Sequence, residues 1–215
     1  MKPARTYQNQ PLGYRRAWLK EKKVVVEKGQ PSLPPGGEAG TARFGTAIVL
    51  TVSSGHLVHD LYTSFLSPLL PLLMDKFSLT VTMAGTLGLF LNLPSALNPL
   101  LGLAAERWEL KYLAMAAPAV SAAAMTLLGL APGYAVLALL LVAAGVSGAF
   151  WHLLGPVLIA RAAGDGVGRG MGLWMTAGEL ARTLGPLAAV GAVALFGLER
   201  LWPLMAVGLA ASGLL

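Results

Sequence analysis

The sequence predicts an all-α polytopic membrane protein with six transmembrane helices. Of the 215 residues, 55% are hydrophobic and only 12% are charged. The mean hydropathy of +0.65 lies outside the range of soluble domains. From residue 44 onward, apolar stretches near the roughly 20 residues that cross a bilayer follow one another with short breaks. Basic residues crowd at the start: Lys2, Arg5, Arg15, Arg16, Lys20, Lys22, Lys23, Lys28 and Arg43 are nine of the 16 Lys and Arg.

Residues 1–43, with Pro31-Ser32-Leu33-Pro34-Pro35-Gly36-Gly37 and no apolar run beyond Val24-Val25-Val26, read as a disordered basic cytoplasmic tail. A cleavable signal is a poor fit, because both the charged region and the apolar segment after it are too long. The pI of 9.8 reflects this tail, so it does not imply nucleic-acid binding. There is no cysteine, which excludes disulfides and thiolate metal sites.

Residues 44–215 form the predicted bundle. The first span runs from about Thr46 to Leu73 and stops at Asp75-Lys76, and the second, Ala84–Leu103, stops at Glu106-Arg107. Tyr112–Leu130 is the third, ended by the turn Ala131-Pro132-Gly133. The fourth runs from Tyr134 to about Ile159, the fifth from Met171 to Leu195, and the sixth from Leu201 to Leu215. With an inner amino terminus, the inner side carries the nine tail residues plus Arg107, Lys111, Arg161 and Arg169, thirteen in all. The outer side carries two, Lys76 and Arg200. That asymmetry predicts both termini cytoplasmic, in a plasma or inner membrane. The third and sixth spans, rich in Ala, Gly and Leu, are expected at the periphery facing lipid, as in a three-plus-three repeat.

The first span is unusual in holding His56, His59 and Asp60 amid apolar residues. An ionisable group near a bilayer centre costs about 2.5–3.5 kcal/mol on insertion scales, so such groups face a protein interior or a water-filled path. At 100° per residue, Ser53, His56, Asp60, Thr63 and Ser67 share one stripe, with His59 and Ser64 at its margins and Tyr62 pointing away. That pattern suits the lining of a transport pathway. An Asp60–His56 pair could exchange protons, or it could be a satisfied contact between helices. His59 admits either reading, and His152, near the inner end of the fourth span, reads as structural. In the fifth span Glu179 and Arg182 stand three apart, near enough to neutralise each other. They form either a packing ion pair or a substrate and proton pair, and Thr176 and Thr183 share their face. Gly185-Pro186 predicts a bend or a close approach, and Gly145, Ser147 and Gly148 predict close helix packing.

The second span ends in Asn98-Pro99-Leu100-Leu101-Gly102-Leu103-Ala104-Ala105-Glu106-Arg107, with Lys111 one turn on. This run resembles the signature loop of the major facilitator superfamily, with Gly102, Glu106, Arg107 and Lys111 at its main positions. Glu109 stands where the family has a second glycine, and Glu106 where it usually has Asp. His56, Asp60 and Tyr62 with Pro68 and Pro71 resemble the first helix of the fosmidomycin-resistance-like branch. Gly178-Glu179 through Gly185-Pro186 is similar to the fifth helix of that branch and to the antiporter motif, with Ala188 and Ala189 replacing its small-glycine tail.

The resemblance covers about Phe44 to Leu215 and implies one six-helix half of a secondary transporter that exports small, often drug-like molecules in exchange for protons; the alternative is a non-transporting assembly or regulatory subunit made from half a transporter. It implies that Glu106, Arg107 and Lys111 latch a cytoplasmic gate, although plain positive-inside anchoring would use the same residues. It further implies that His56, Asp60, Glu179 and Arg182 line the cavity.

Two other motifs lead nowhere. Gly145-Val146-Ser147-Gly148 in the fourth of six spans resembles the nucleophile motif of rhomboid intramembrane proteases, but no histidine follows His152 to act as base. Gly164-Asp165-Gly166-Val167-Gly168-Arg169-Gly170 follows no strand, so it reads as a flexible cytoplasmic turn rather than a phosphate loop. No enzyme activity, cofactor or metal is expected, because three histidines on two helices form no recognisable ligand set from spacing alone. The expected partners are the bilayer, a small molecule, protons and a second six-helix bundle, but not nucleic acid. The 15-residue sixth span, about 22 Å at 1.5 Å per residue, reads as cut short, which adds to the case for a second bundle.

Overall fold

The computed structural model describes residues 43–105 and 111–215. Nearly all of the predicted tail lies outside the described residues, as do Glu106 and Arg107 of the loop; for Lys111 the backbone alone is described. Every long element is helical, with no strand among the described residues.

The first span is α1 (Thr46–Thr63) followed by α2 (Leu66–Phe77), and the second is α3 (Val81–Asn92), a 3₁₀ stretch Leu93–Leu97, and α4 (Asn98–Ala105). The third is α5 (Lys111–Thr126), the fourth α6 (Tyr134–Ala163), the fifth α7 (Val167–Phe196), and α8 (Met205–Leu214) occupies the sixth position. Thr46–Phe77, Val81–Leu103 and the α6–α7 stretch Tyr134–Phe196 are long and apolar enough to cross a membrane, whereas α5 is a shorter apolar helix.

Several boundaries differ from the sequence expectation. The first span continues to Phe77, because Asp75 and Lys76 sit inside its last turn rather than ending it. It is also broken at Ser64–Phe65. The Asp60 carbonyl there accepts from the Ser64 amide at 3.1 Å, the Ser64 hydroxyl at 2.7 Å and the Thr63 hydroxyl at 3.1 Å. Such back-bonding by Ser and Thr bends helices, and Pro68, in the first turn of the next segment, needs no amide proton. The second span breaks at Pro94 for the same lack of a donor. The expected glycine-rich turn at 164–170 contracts to one 3₁₀ turn, Gly164–Gly166, with Gly164 at φ 52°. Gly168 and Gly170 belong to α7, where a Cβ on Gly170 would stand 2.8 Å from that of Ala163. Glycine there serves close α6–α7 packing rather than looseness.

The expected lipid-facing third span is only partly so. Tyr112, Leu113 and Val120 are exposed, but Ala114, Ala117, Ser121, Ala122 and Met125 are fully buried. Alanine and glycine let α5 and α8 meet closely: a Cβ on Gly208 would collide with Ala122 and the Pro118 carbonyl. Pro118 interrupts the hydrogen-bond ladder inside α5, and the Ala119 amide donates to Ser212 Oγ at 2.9 Å.

At one end of the bundle the Lys76 ammonium donates to Glu199 Oε1 at 2.6 Å and to the Gly129 carbonyl at 2.8 Å, tying the ends of α2, α5 and α7 together. That ammonium holds the exposed Glu199 carboxyl below its ordinary range. At the other end Gly45 N–H donates to the Ala162 carbonyl at 2.8 Å, and the Arg169 guanidinium lies 5.1 Å from the Phe44 ring centroid. Two apolar cores result. One holds Phe65, Leu69, Leu73, Leu137 and Leu201, the other Val49, Val52, Trp151, Ile159 and Trp174. Along α1 the polar residues fall between them.

Candidate functional site

Four residues of α1 that composition would leave in hydrocarbon are buried in protein instead: Ser53, His56, His59 and Asp60. Tyr62 turns away from them into the other core and donates to the Leu204 carbonyl. Thr63 and Ser64 border a cavity of about 390 Å³ that Asp60, His59, His152 and Arg182 also line, together with Asn92 and Ser95 of the second span. Ser67, beyond the break, is exposed and is not part of that wall.

Asp60 is the hub. Its side chain is 2% exposed, with Oδ2 3.3 Å from His56 Nε2 and 3.5 Å from Arg182 Nη2. Oδ1 lies 3.3 Å from His152 Nε2. None of these contacts to His56 or His152 has ideal hydrogen-bond geometry, so both carboxylate oxygens and His56 Nε2 stand without a hydrogen-bond partner among the described residues. Arg182 is shared, its Nη1 donating to Glu179 Oε1 at 2.8 Å, and both of those side chains are more than half exposed.

The tautomer of His56 follows from its other nitrogen. Nδ1 lies 2.9 Å from the Trp174 carbonyl oxygen. A carbonyl only accepts, so Nδ1 carries a proton and donates it. A neutral His56 ring therefore turns a lone pair on Nε2 toward Asp60. A proton held between Nε2 and the carboxylate oxygen, 3.3 Å apart, would turn that contact into a hydrogen bond. The ring is further fixed by stacking on Trp174, with centroids 3.7 Å apart, and by Gly178, whose absent side chain leaves room for it.

The fold thus brings together His56, Asp60, Arg182 and Glu179. His59 lies beside them, fully buried, with both ring nitrogens unpartnered among the described residues. Gly148 faces the His59 ring at ordinary contact distance, whereas a Cβ on Gly145 would collide with the Leu91 carbonyl of the second span. A Cβ on Gly185 would come within 2.7 Å of the Leu61 carbonyl, so α7 approaches α1 closely there while continuing through Pro186. Gly102 lies on α4 with Leu153 as its nearest neighbour across the bundle, and the rest of the predicted gate falls on or beside undescribed residues. Ser147 Oγ donates to the Ala144 carbonyl at 2.8 Å within its own helix.

Reasoning from sequence missed three members. His152, which reads as structural near the inner end of its span, stands on the cavity wall with Nε2 3.3 Å from Asp60 Oδ1. Trp174 contributes through a backbone carbonyl, which no residue pattern reveals. Gly178 reads only as part of a motif, and its role depends on the ring that lies against it.

A family model described as Major Facilitator Superfamily matches residues 52–215. The chain is also 26% identical over 175 residues to the fosmidomycin resistance protein of Escherichia coli (strain K12), an alignment covering 81% of this chain and 43% of that protein. The chain therefore spans less than half the length of this relative. No solved structure matches the chain.

Proposed function

The chain belongs to the major facilitator superfamily, and on that premise we propose that it forms one six-helix bundle of a proton-coupled exporter of small, drug-like molecules. It is a membrane transporter rather than an enzyme. The observation that carries the finer reading is the buried Asp60 carboxylate at the cavity wall, flanked by His56, His152 and Arg182. The name of the Escherichia coli relative supports a drug-like substrate.

The coupling step uses this chain's own groups. With one proton held between His56 Nε2 and Asp60 Oδ2, the carboxylate charge is satisfied locally and Arg182 remains with Glu179. When the proton leaves toward the cavity, Asp60 draws the shared Arg182 guanidinium, already 3.5 Å away, closer to itself. Such a switch alters the charge that α1 and α7 present on the cavity wall and so biases how this bundle rocks against a second one, the motion that alternating access requires. Glu106, Arg107 and Lys111 act at the cytoplasmic gate in the same scheme. Both termini lie in the cytoplasm.

The half-exposed Glu179–Arg182 pair favours a second bundle on that side, from another copy or another chain, because uncovered charges in lipid are costly. The test is reconstitution in liposomes carrying a proton gradient, with the mass of the assembly measured in detergent. The expected result is flux from a two-bundle assembly that Asp60→Asn abolishes. Flux from a monomer, or full gradient-driven flux in Asp60→Asn, would overturn the proposal.

A further inference from the structure

His56, Asp60 and His152 each offer one ligand atom, and the three lie within 4.8 Å of one another. Both Asp60–His separations are 3.3 Å. Bonds of about 2.0–2.2 Å at a tetrahedral angle place two zinc ligands roughly 3.3–3.6 Å apart, a separation that both Asp60–His contacts already match, so binding requires only that the two imidazoles close on one another. The sequence could not show this set, since its third member comes from α6.

The ligand atoms are also prepared. His56 and Asp60 are more than nine-tenths buried, and His56 Nε2 and both carboxylate oxygens have no hydrogen-bond partner among the described residues. The Nδ1–H of His56 donates to the Trp174 carbonyl, the outer contact that orients a metal-bound imidazole and aims Nε2 at the ion. His152 stands at the cavity edge, so a fourth position opens to water. Two imidazoles and one carboxylate select zinc-class ions over magnesium or calcium, which prefer all-oxygen sites.

We propose that His56 Nε2, His152 Nε2 and the Asp60 carboxylate bind a divalent transition-metal ion of the zinc class, with water from the cavity as fourth ligand. Arg182 opposes the ion, with Nη2 3.5 Å from Asp60 Oδ2. That side chain is more than half exposed and already held by Glu179, so it can withdraw. His59 neighbours the site without supplying a ligand atom.

The test uses the full chain without a polyhistidine tag, purified in detergent and titrated with Co²⁺ as a spectroscopic probe. One Co²⁺ per chain should give the visible absorption of a tetrahedral site, and Zn²⁺ should displace it. His152→Ala removes a half-exposed ligand and should weaken binding about tenfold or more. Arg182→Gln should tighten binding by relieving repulsion, a change that a merely structural role for the cluster would not produce. Absence of the Co²⁺ spectrum, equal affinity in His152→Ala, or failure of Arg182→Gln to tighten binding would each overturn the proposal. The readout is binding, so these failures leave the proton-exchange reading, tested by flux, untouched.

Discussion

Gly178 on α7 lies against the His56 ring so closely that a Cβ there would stand 2.6 Å from Cε1 and 2.9 Å from Nε2. Gly178→Ala must therefore push the imidazole away from Asp60 or push α7 away from α1. Overpacking of this kind costs about 1–3 kcal/mol. Gly172, on the same helix, has open space where its Cβ would go, and Gly172→Ala should gain roughly 0.5–1 kcal/mol from helix propensity. Thermal unfolding of the two variants in detergent should move in opposite directions, and only Gly178→Ala should lose flux.

Asp60→Asn is expected to retain the fold and lose proton-driven flux. The amide keeps the volume but removes the charge that His56, His152 and Arg182 converge upon. Flux measured in liposomes with and without a pH gradient separates a coupling defect from a misfolded protein.

The ends of the bundle make a topological prediction. A cysteine at Gly133, in the turn before α6, should react with an impermeant reagent added outside intact cells. One at Gly168, just inside the start of α7, should not. Both positions leave open space for a side chain, whereas Gly166 would press on the Phe44 ring.

The Lys76–Glu199 contact predicts an acid-dependent loss of stability at that end of the bundle. The Glu199 carboxyl is held below its ordinary range in the folded protein. Its contribution is therefore present above the unfolded carboxyl pKa and disappears as pH falls through the folded one. Unfolding temperatures of the wild type and Glu199→Gln, measured from about pH 6 down to about pH 3, should converge at the acid end. The difference at neutral pH should be small, as for other exposed pairs.

How much of this was legible in the sequence depends on whether a relationship lies within one helix or between two. The His56–Asp60 and Glu179–Arg182 neighbours follow from helical spacing, and the structure places both pairs in contact. His152 reaches Asp60 only because α6 packs beside α1, and helical periodicity carries no information about which helices pack together. The break at Ser64 was hidden differently. It arises from three donors crowding the Asp60 carbonyl, two of them hydroxyls whose individual preferences for back-bonding are weak. Charge does not end a helix, as Asp75-Lys76 inside the last turn of α2 show, because it marks a change of solvent rather than of backbone.

Trp174 holds His56 twice over, by its carbonyl and by its stacked indole ring. An imidazole that gains positive charge against an indole face draws electron density from the excited ring, so the protein carries an optical reporter of its own. Emission from Trp174, isolated as the difference between the wild type and Trp174→Phe, should dim whenever His56 is charged. The state of the buried cluster could then be followed in real time during a turnover, without attaching a dye or altering any residue that faces the cavity.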